Sequence, residues 1–205
     1  MQVGRWMTTE VISVRPQDPI ENARQLLREH RIRHLPVTEG DRLLGIATEQ
    51  DLRVGEALVG RAATVVVADV MTASVITVGP EATVEQAAML IAENKVGGLP
   101  VVDSEDRLVG IITESDIINV FLDAMGIDSG ATRLEVLLPD RPGALADVAR
   151  VLAERGANII SVLCASVEAG TKVLVMRIVA DDLEVVLNDL ASAGVEVHSV
   201  EEGTL

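Results

Sequence analysis

Aromatic residues are almost missing from this 205-residue sequence: Trp6 and Phe121 stand alone, and there is no tyrosine. Binders of single-stranded nucleic acid stack bases on aromatic faces, so that class is disfavoured at once. Positive charge is scarce as well. Seventeen Lys and Arg stand against 32 Asp and Glu, a formal net charge of −15. So acidic a surface repels phosphate backbones, and nucleic acid is not an expected partner. Cys164 is the single cysteine, which excludes an intrachain disulfide and fits a reducing compartment. It falls in a strand-like stretch and is read as a buried packing residue rather than a nucleophile. No run approaches ~18 apolar residues, and residues 1–9 hold no apolar stretch after their charge. Neither a membrane span nor a signal peptide is expected, and the cytoplasm is the expected location.

Catalytic patterns are equally thin. No paired carboxylate, Cys/His or Ser/His/Asp constellation stands out. His30, His34 and His198 lack metal-ligand spacing with a cysteine, and Gly-rich phosphate-binding words are missing. The expectation is a non-enzymatic protein with no metal and no catalytic cofactor.

What the chain does have is aliphatic side chains, within a hydrophobic fraction of 48 %, and an internal repeat. Met7-Thr8 recurs 64 positions on as Met71-Thr72. The same shift carries Ile12, Val14, Pro16 and Ala23 to Ile76, Val78, Pro80 and Ala87, and Leu35-Pro36-Val37 to Leu99-Pro100-Val101. After one inserted residue, Gly45-Ile46, Thr48-Glu49 and Asp51 match Gly110-Ile111, Thr113-Glu114 and Asp116. Self-similarity in this order marks a duplicated unit.

Each repeat reads as strand, helix, strand, strand, helix. Val11–Val14 is β-prone. Asp18-Pro19-Ile20-Glu21 predicts a helix start with Asp18 as N-cap, and Thr83-Val84-Glu85-Gln86 is a capping box. Two hairpins follow, turning at Glu39-Gly40-Asp41 and at Asp103-Ser104-Glu105-Asp106. Neither repeat alone covers both faces of so small a sheet. The expectation is face-to-face packing about a pseudo-two-fold axis, with two related clefts where small ligands bind.

The third segment follows Gly126-Ile127-Asp128-Ser129-Gly130, a linker by composition. Strand Thr132–Leu138 precedes a helix opened near Pro142 and stopped by Gly156. A hairpin of Asn158–Val167 and Thr171–Val179, a helix with Leu183, Val186, Leu187 and Leu190, and strand Val195–Val200 complete it. The order βαββαβ predicts a ferredoxin-like layer, so the fold class is mixed α/β (α+β). The expected domains are a pair over 1–126, with repeats at about 3–62 and 66–126, a linker at 127–131 and a last domain at 132–205.

Gly45–Asp51 and Gly110–Asp116, supported by Arg33–Val37 and Gly97–Val101, resemble the CBS family in its tandem (Bateman) form. Asp140-Arg141-Pro142-Gly143-Ala144-Leu145 and Gly156-Ala157-Asn158-Ile159 resemble ACT-domain signatures. The whole order is similar to that of the AcuB family of acetoin-utilisation proteins, and implies a regulatory role.

From spacing alone, Thr48-x-x-Asp51 and Thr113-x-x-Asp116 read equally as capping boxes or as ligand groups. The CBS resemblance implies that Asp51 and Asp116 accept bonds from ribose hydroxyls and that Thr48 and Thr113 face phosphate, beside helix-terminal amides suited to it. Arg28, His30, Arg31, Arg33 and His34 form a basic cluster. Arg28 and His30 read as a solvated helix end, Arg33 and His34 as phosphate contacts. Gly97-Gly98 stands at the matching place in the second repeat, with only Lys95 nearby, so one tight and one weak or empty site are expected. The CBS resemblance implies that Ile12-Ser13-Val14 and Ile76-Thr77-Val78 frame the base, with adenine held by aliphatics such as Val14, Pro36, Val78 and Pro100. The ACT resemblance implies an amino-acid effector site at Asp140, Gly143, Ala144, Leu145, Asn158 and Ile159, usually at a dimer interface.

The expectation is a homodimeric regulatory sensor. It binds an adenine nucleotide (AMP, ADP, ATP or the relative S-adenosylmethionine), with an amino acid as the ACT domain's implied effector, and acts on a partner enzyme. The alternative is a ligand-free adaptor working through its dimer surfaces.

Overall fold

A computed structural model describes residues 1–56, 65–168 and 170–203. Residues 57–62 of the expected first repeat, Ala169 of the last hairpin turn and the final two residues lie outside this set. The chain forms two compact units, Met1–Ile118 and Asn119–Leu205.

In the first unit a short helix α1 (Val3–Trp6) precedes α2 (Ile20–His30), the hairpin β1 (His34–Glu39) and β2 (Arg42–Thr48), and α3 (Glu49–Glu56). The second repeat follows with a 3-10 turn at Val67–Asp69, α4 (Val84–Asn94), β3 (Gly98–Val102), β4 (Leu108–Thr113) and the start of α5 (Glu114–Ala124). The hairpins are in matching register, Leu35 opposite Ala47 and Leu99 opposite Ile112. Gly40 supplies the left-handed residue of the first turn, and Asp106 (φ 59°) does so in the second.

The strand expected at Val11–Val14 shrinks to one residue. Val14 bridges Val37 in parallel, taking the Pro36 carbonyl at 3.0 Å and giving its own carbonyl to Thr38 N–H at 2.8 Å. Prolines stop the ladder on both sides. Its next donors would be the amides of residues 16 and 36, and proline has none. Pro80 and Pro100 confine Val78 to the same single bridge with Val101. The expected Asp18 cap is also corrected. The N-cap of α2 is Pro19, without a side-chain cap, because the Asp18 carboxylate turns back to accept from Arg15 N–H at 2.8 Å. Thr83 and Gln86 do form the expected capping box.

The two repeats exchange their opening segments. Thr8 and Ile111 trade both backbone hydrogen bonds, at 2.9 and 3.0 Å, and Thr72 and Ile46 do the same at 2.9 and 3.0 Å. Val3 donates to the Ala82 carbonyl and Val67 to that of Asp18, each on the opposite repeat. This reciprocity is the pseudo-two-fold relation. It also explains the Met-Thr pair. The threonine backbone pairs with the other repeat's second strand, and the methionine lies against that strand's glycine. A Cβ on Gly45 would come within 2.8 Å of Met71 Sδ, and one on Gly110 would collide with Met7. The core of repeat one gathers Val14, Ile20, Ala23, Leu27, Leu35, Val37, Ala47 and Leu52, with Val65 and Val67 supplied from across.

The second unit holds β5 (Thr132–Pro139), α6 (Ala144–Glu154), β6 (Asn158–Glu168), β7 (Thr171–Val179), α7 (Leu183–Ser192) and β8 (Glu196–Glu201). Its antiparallel sheet has the order β6-β7-β5-β8, the expected ferredoxin-like arrangement. Leu134, Val136 and Leu138 of β5 and Leu174, Met176 and Ile178 of β7 alternate inward under Val148, Leu152, Val186 and Leu190. Full burial of each such side chain is worth roughly 1.5–3 kcal/mol. The expected linker is a 3-10 turn, Ile127–Ser129, held between left-handed Gly126 and Gly130. Cys164, expected to be buried, is exposed. It pairs with Leu174 on β7, but β6 is the sheet's edge strand and has no neighbour on its other side. Among the described residues no helix is long and apolar enough to cross a membrane.

Candidate functional site

Both Thr-x-x-Asp motifs sit where a β-strand runs into a helix. Asp116 Oδ2 accepts from Thr113 N–H at 2.8 Å and from Thr113 Oγ1 at 2.7 Å. Asp51 does the same to Thr48 at 2.9 and 2.7 Å. The threonine oxygens accept the aspartate amides in return, at 3.5 and 3.3 Å. The capping-box reading is therefore realised twice. It does not use the whole carboxylate, because Oδ1 of each aspartate has no partner among the described residues.

Surroundings separate the two. Asp116, Thr113 and Ser115 line a cavity of about 370 Å³ with Ile111, and its opposite wall comes from repeat one: Val11, Ile12 and the run His30–His34. The N-terminus of α5 thus opens into a cleft carrying Arg31, Arg33 and His34. Free amides at such a terminus suit an anion. Burial holds the His34 imidazole below the ordinary histidine pKa, the Arg33 charge adds to this, and Glu114 opposes it. His34 is accordingly neutral at pH 7 and offers hydrogen bonds rather than charge. It rests on Gly97, where a Cβ would approach its ring to 2.8 Å. Gly97 is thus the room that the second repeat makes for the first repeat's histidine.

The remaining expected residues divide. Thr48 lines a neighbouring cavity of about 380 Å³ with Arg33, His34, Glu49, Gln50, Arg53 and Gly97, and Asp51 is not in its lining. Thr77 faces a third cavity, of about 220 Å³, beside Val75 and Arg42. Ser13 is exposed and accepts from Thr38 Oγ1 at 3.3 Å. Lys95 is exposed at the left-handed C-cap of α4, and Gly98 is buried in β3. Val14, Pro36, Val78 and Pro100 are buried and stand outside the Asp116 cleft. The backbones of all four take part in the parallel bridges. Val11, Ile12 and Ile111 supply apolar wall instead. Ile12 was expected beside the base, whereas Val11, Ile111, Thr8, Glu10 and Ser115 were not singled out as ligand groups by the sequence reading. The repeat matches Thr8/Thr72, Ile12/Ile76 and Ile46/Ile111 were the available signal. Among the described residues no cluster of three or more His, Cys, Asp and Glu is placed to hold a metal.

In the second unit the expected effector residues do not converge within one chain. Pro139, just before Asp140, pairs with Thr171, while Asn158 pairs with Val179 at the far end of β7. At ~3.3 Å per residue the two sites stand roughly 26 Å apart. The Asp140 turn is closed by its own ion pairs, Asp140–Lys172 at 3.6 Å and Arg141–Asp147 at 2.9 Å. Ala144 is buried, Gly143 is the left-handed N-cap of α6, Leu145 is exposed and Ile159 half-buried.

The model of the CBS domain matches residues 3–54 and 67–123. The chain belongs to the CBS-domain family. Residues 130–201 match the TTHA0829-like ACT domain, so the CBS pair is followed by a C-terminal ACT domain. An inosine-5'-monophosphate dehydrogenase of Korarchaeum cryptofilum is 42 % identical over 108 residues, which is 53 % of this chain and 22 % of that enzyme. This chain thus spans only about a fifth of the length of the first curated relatives it matches. CBSX2, a CBS-pair protein of Arabidopsis thaliana solved in complex with AMP, superimposes with a TM-score of 0.53 at 30 % identity, covering 60 % of this chain and 96 % of that one. A Vibrio cholerae protein described as an acetoin utilization protein (AcuB) gives 0.57 at 29 % identity, covering 63 % and 96 %.

Proposed function

We propose that the chain is a regulatory sensor whose CBS pair binds an adenine nucleotide in the Asp116 cleft. The observation that carries this is Asp116, one oxygen of which has no partner among the described residues, in the lining of a cavity that also holds an arginine pair and a helix N-terminus. An acceptor-only carboxylate suits vicinal ribose hydroxyls, and the arginines suit phosphate. The AMP complex of CBSX2 supports the ligand class. Aliphatic walls at Val11, Ile12 and Ile111 replace an aromatic base platform.

The chain works as a homodimer in this reading. Apolar side chains left at the surface support it: Val54 and Met89 on the CBS helices, Ile160 and Leu163 on the ACT edge strand. A dimer also offers the ACT segment a way to bring one chain's Asp140 turn towards another chain's Asn158, which one chain keeps apart. An amino acid bound there, and nucleotide in the CBS pair, would bias subunit orientation. A partner enzyme would read that bias through a coupling of ~1–3 kcal/mol.

The test is mass spectrometry of small molecules released from the denatured protein, followed by thermal unfolding with AMP, ADP, ATP and S-adenosylmethionine. Ligand at ~100 times its Kd should add ~2.7 kcal/mol. No released nucleotide, and no shift with any of the four, would refute the reading in favour of a ligand-free adaptor.

A further inference from the structure

Beside the nucleotide cleft lies a second cavity of about 310 Å³, between α2 and α3. Five arginines line it, Arg24, Arg28, Arg31, Arg33 and Arg53, against one acid, Glu49. Its lining is therefore strongly positive in a chain of net charge −15. The Asp116 cleft itself is balanced, with Arg31 and Arg33 facing Glu10 and Asp116. Arg31, Ile32 and Arg33 belong to both linings, so one short segment is the wall between them.

The duplication supplies an internal control. At the matching positions of repeat two stand Ala88, Ala92, Lys95, Gly97 and Ile118, while the acid is kept as Glu114. The same helix pair and hairpin form there without the arginines, so packing does not require them. Like charges crowded into one lining repel one another. Arg53 has a counter-ion in Glu49 at 2.8 Å. The side chains of Arg28, Arg31 and Arg33 have no hydrogen-bond or ion-pair partner among the described residues. A cluster that the fold does not need, and that repels itself, suits an external polyanion.

We infer that this groove is a polyphosphate subsite, and that it gives the chain a preference for adenine nucleotides with two or three phosphates over AMP. The inference rests on the proposed nucleotide cleft, whose balanced charge leaves the added phosphates to the groove. Arginine forks suit phosphate oxygens in pairs, and each added phosphate meets positive charge that AMP does not reach.

Calorimetric titration of the full chain tests this, with adenosine, AMP, ATP and inorganic tripolyphosphate, in EDTA, at two salt concentrations. ATP should bind at least about tenfold more tightly than AMP, with the steeper salt dependence. Arg28→Ala combined with Arg53→Gln should cut the preference to within about threefold, leave AMP affinity unchanged, and keep or raise the melting temperature. Equal affinity for AMP and ATP, or a preference that survives the double variant, overturns the subsite and leaves the nucleotide reading intact. If no adenosine compound binds, the nucleotide reading fails, and tripolyphosphate then decides the groove alone: binding lost in the double variant supports an anion site, and no binding overturns it.

Discussion

Asp116 and Asp51 make the same local hydrogen bonds, yet only Asp116 lines the cleft, so replacing each by alanine separates structure from function. Each substitution removes an acceptor that caps a helix start through Thr113 or Thr48. Losing such a cap costs about 1 kcal/mol, within a range of roughly 0.5–2. That is about 4 °C of melting temperature for a unit of this size, and it should be nearly equal for the two variants. Ligand binding should not be equal. Hydrogen bonds to a charged group contribute about 1.5–3 kcal/mol, so Asp116→Ala should weaken AMP binding roughly 10- to 150-fold. Asp51→Ala should leave binding at this cleft within about threefold. At a concentration ~100 times the parent Kd, ligand adds ~2.7 kcal/mol to the parent and to Asp51→Ala; a hundredfold loss in Asp116→Ala leaves only about 0.4 kcal/mol. Trp6 is the only tryptophan, two residues from Thr8 of the cleft, so its fluorescence follows unfolding of this unit. Calorimetry gives the affinities. Equal affinity losses in both variants, or none in either, would refute the assignment of Asp116 to the ligand.

Four further outcomes follow from the geometry. Because burial lowers the His34 pKa, the unfolded chain binds more protons between that lowered value and 6.5, so His34 contributes stability that is lost as pH falls through this window; chemical denaturation at pH 5.5 and 7.5 should show a smaller difference in His34→Gln than in the parent. A bound phosphate favours protonated His34, so AMP should bind more tightly at pH 5.5 than at 7.5, and that gain should vanish in His34→Gln. Gly45→Ala should destabilise by about 1–3 kcal/mol in denaturant titrations, since the new methyl would meet Thr72 O at 3.0 Å and that carbonyl is held by Ile46 N–H at 3.0 Å. Thr83→Ala should cost about 1 kcal/mol and Asp18→Ala clearly less, because Thr83 caps its helix and Asp18 does not; melting temperatures of the two decide it.

Much of this architecture was readable because duplication and periodicity are properties of the chain itself. The 64-residue shift, both hairpins and the βαββαβ order could be read without coordinates. Val11–Val14 misled because β-propensity ignores partners, and two prolines leave only Val14 able to pair. Val14, Pro36, Val78 and Pro100 mark another limit, since an apolar residue that lines a cleft and one buried beneath it have the same sequence signature. Cys164 shows the same limit, because position in a strand does not say whether the strand has a neighbour. The composition of the cleft was the least accessible feature. Joining Arg31–His34 of one repeat to Thr113–Asp116 of the other depends on the exchange of opening segments, and no local pattern records that.

That exchange also sets a timetable for making the molecule. Thr8 leaves the ribosome 103 residues ahead of Ile111, the strand residue it must bond. Thr8 therefore waits for almost the whole first unit to be synthesised before its partner exists. Closure over so long a loop is slow, and a nascent chain halted near residue 90 would already have Ala82 for Val3 to meet but no Ile111 for Thr8.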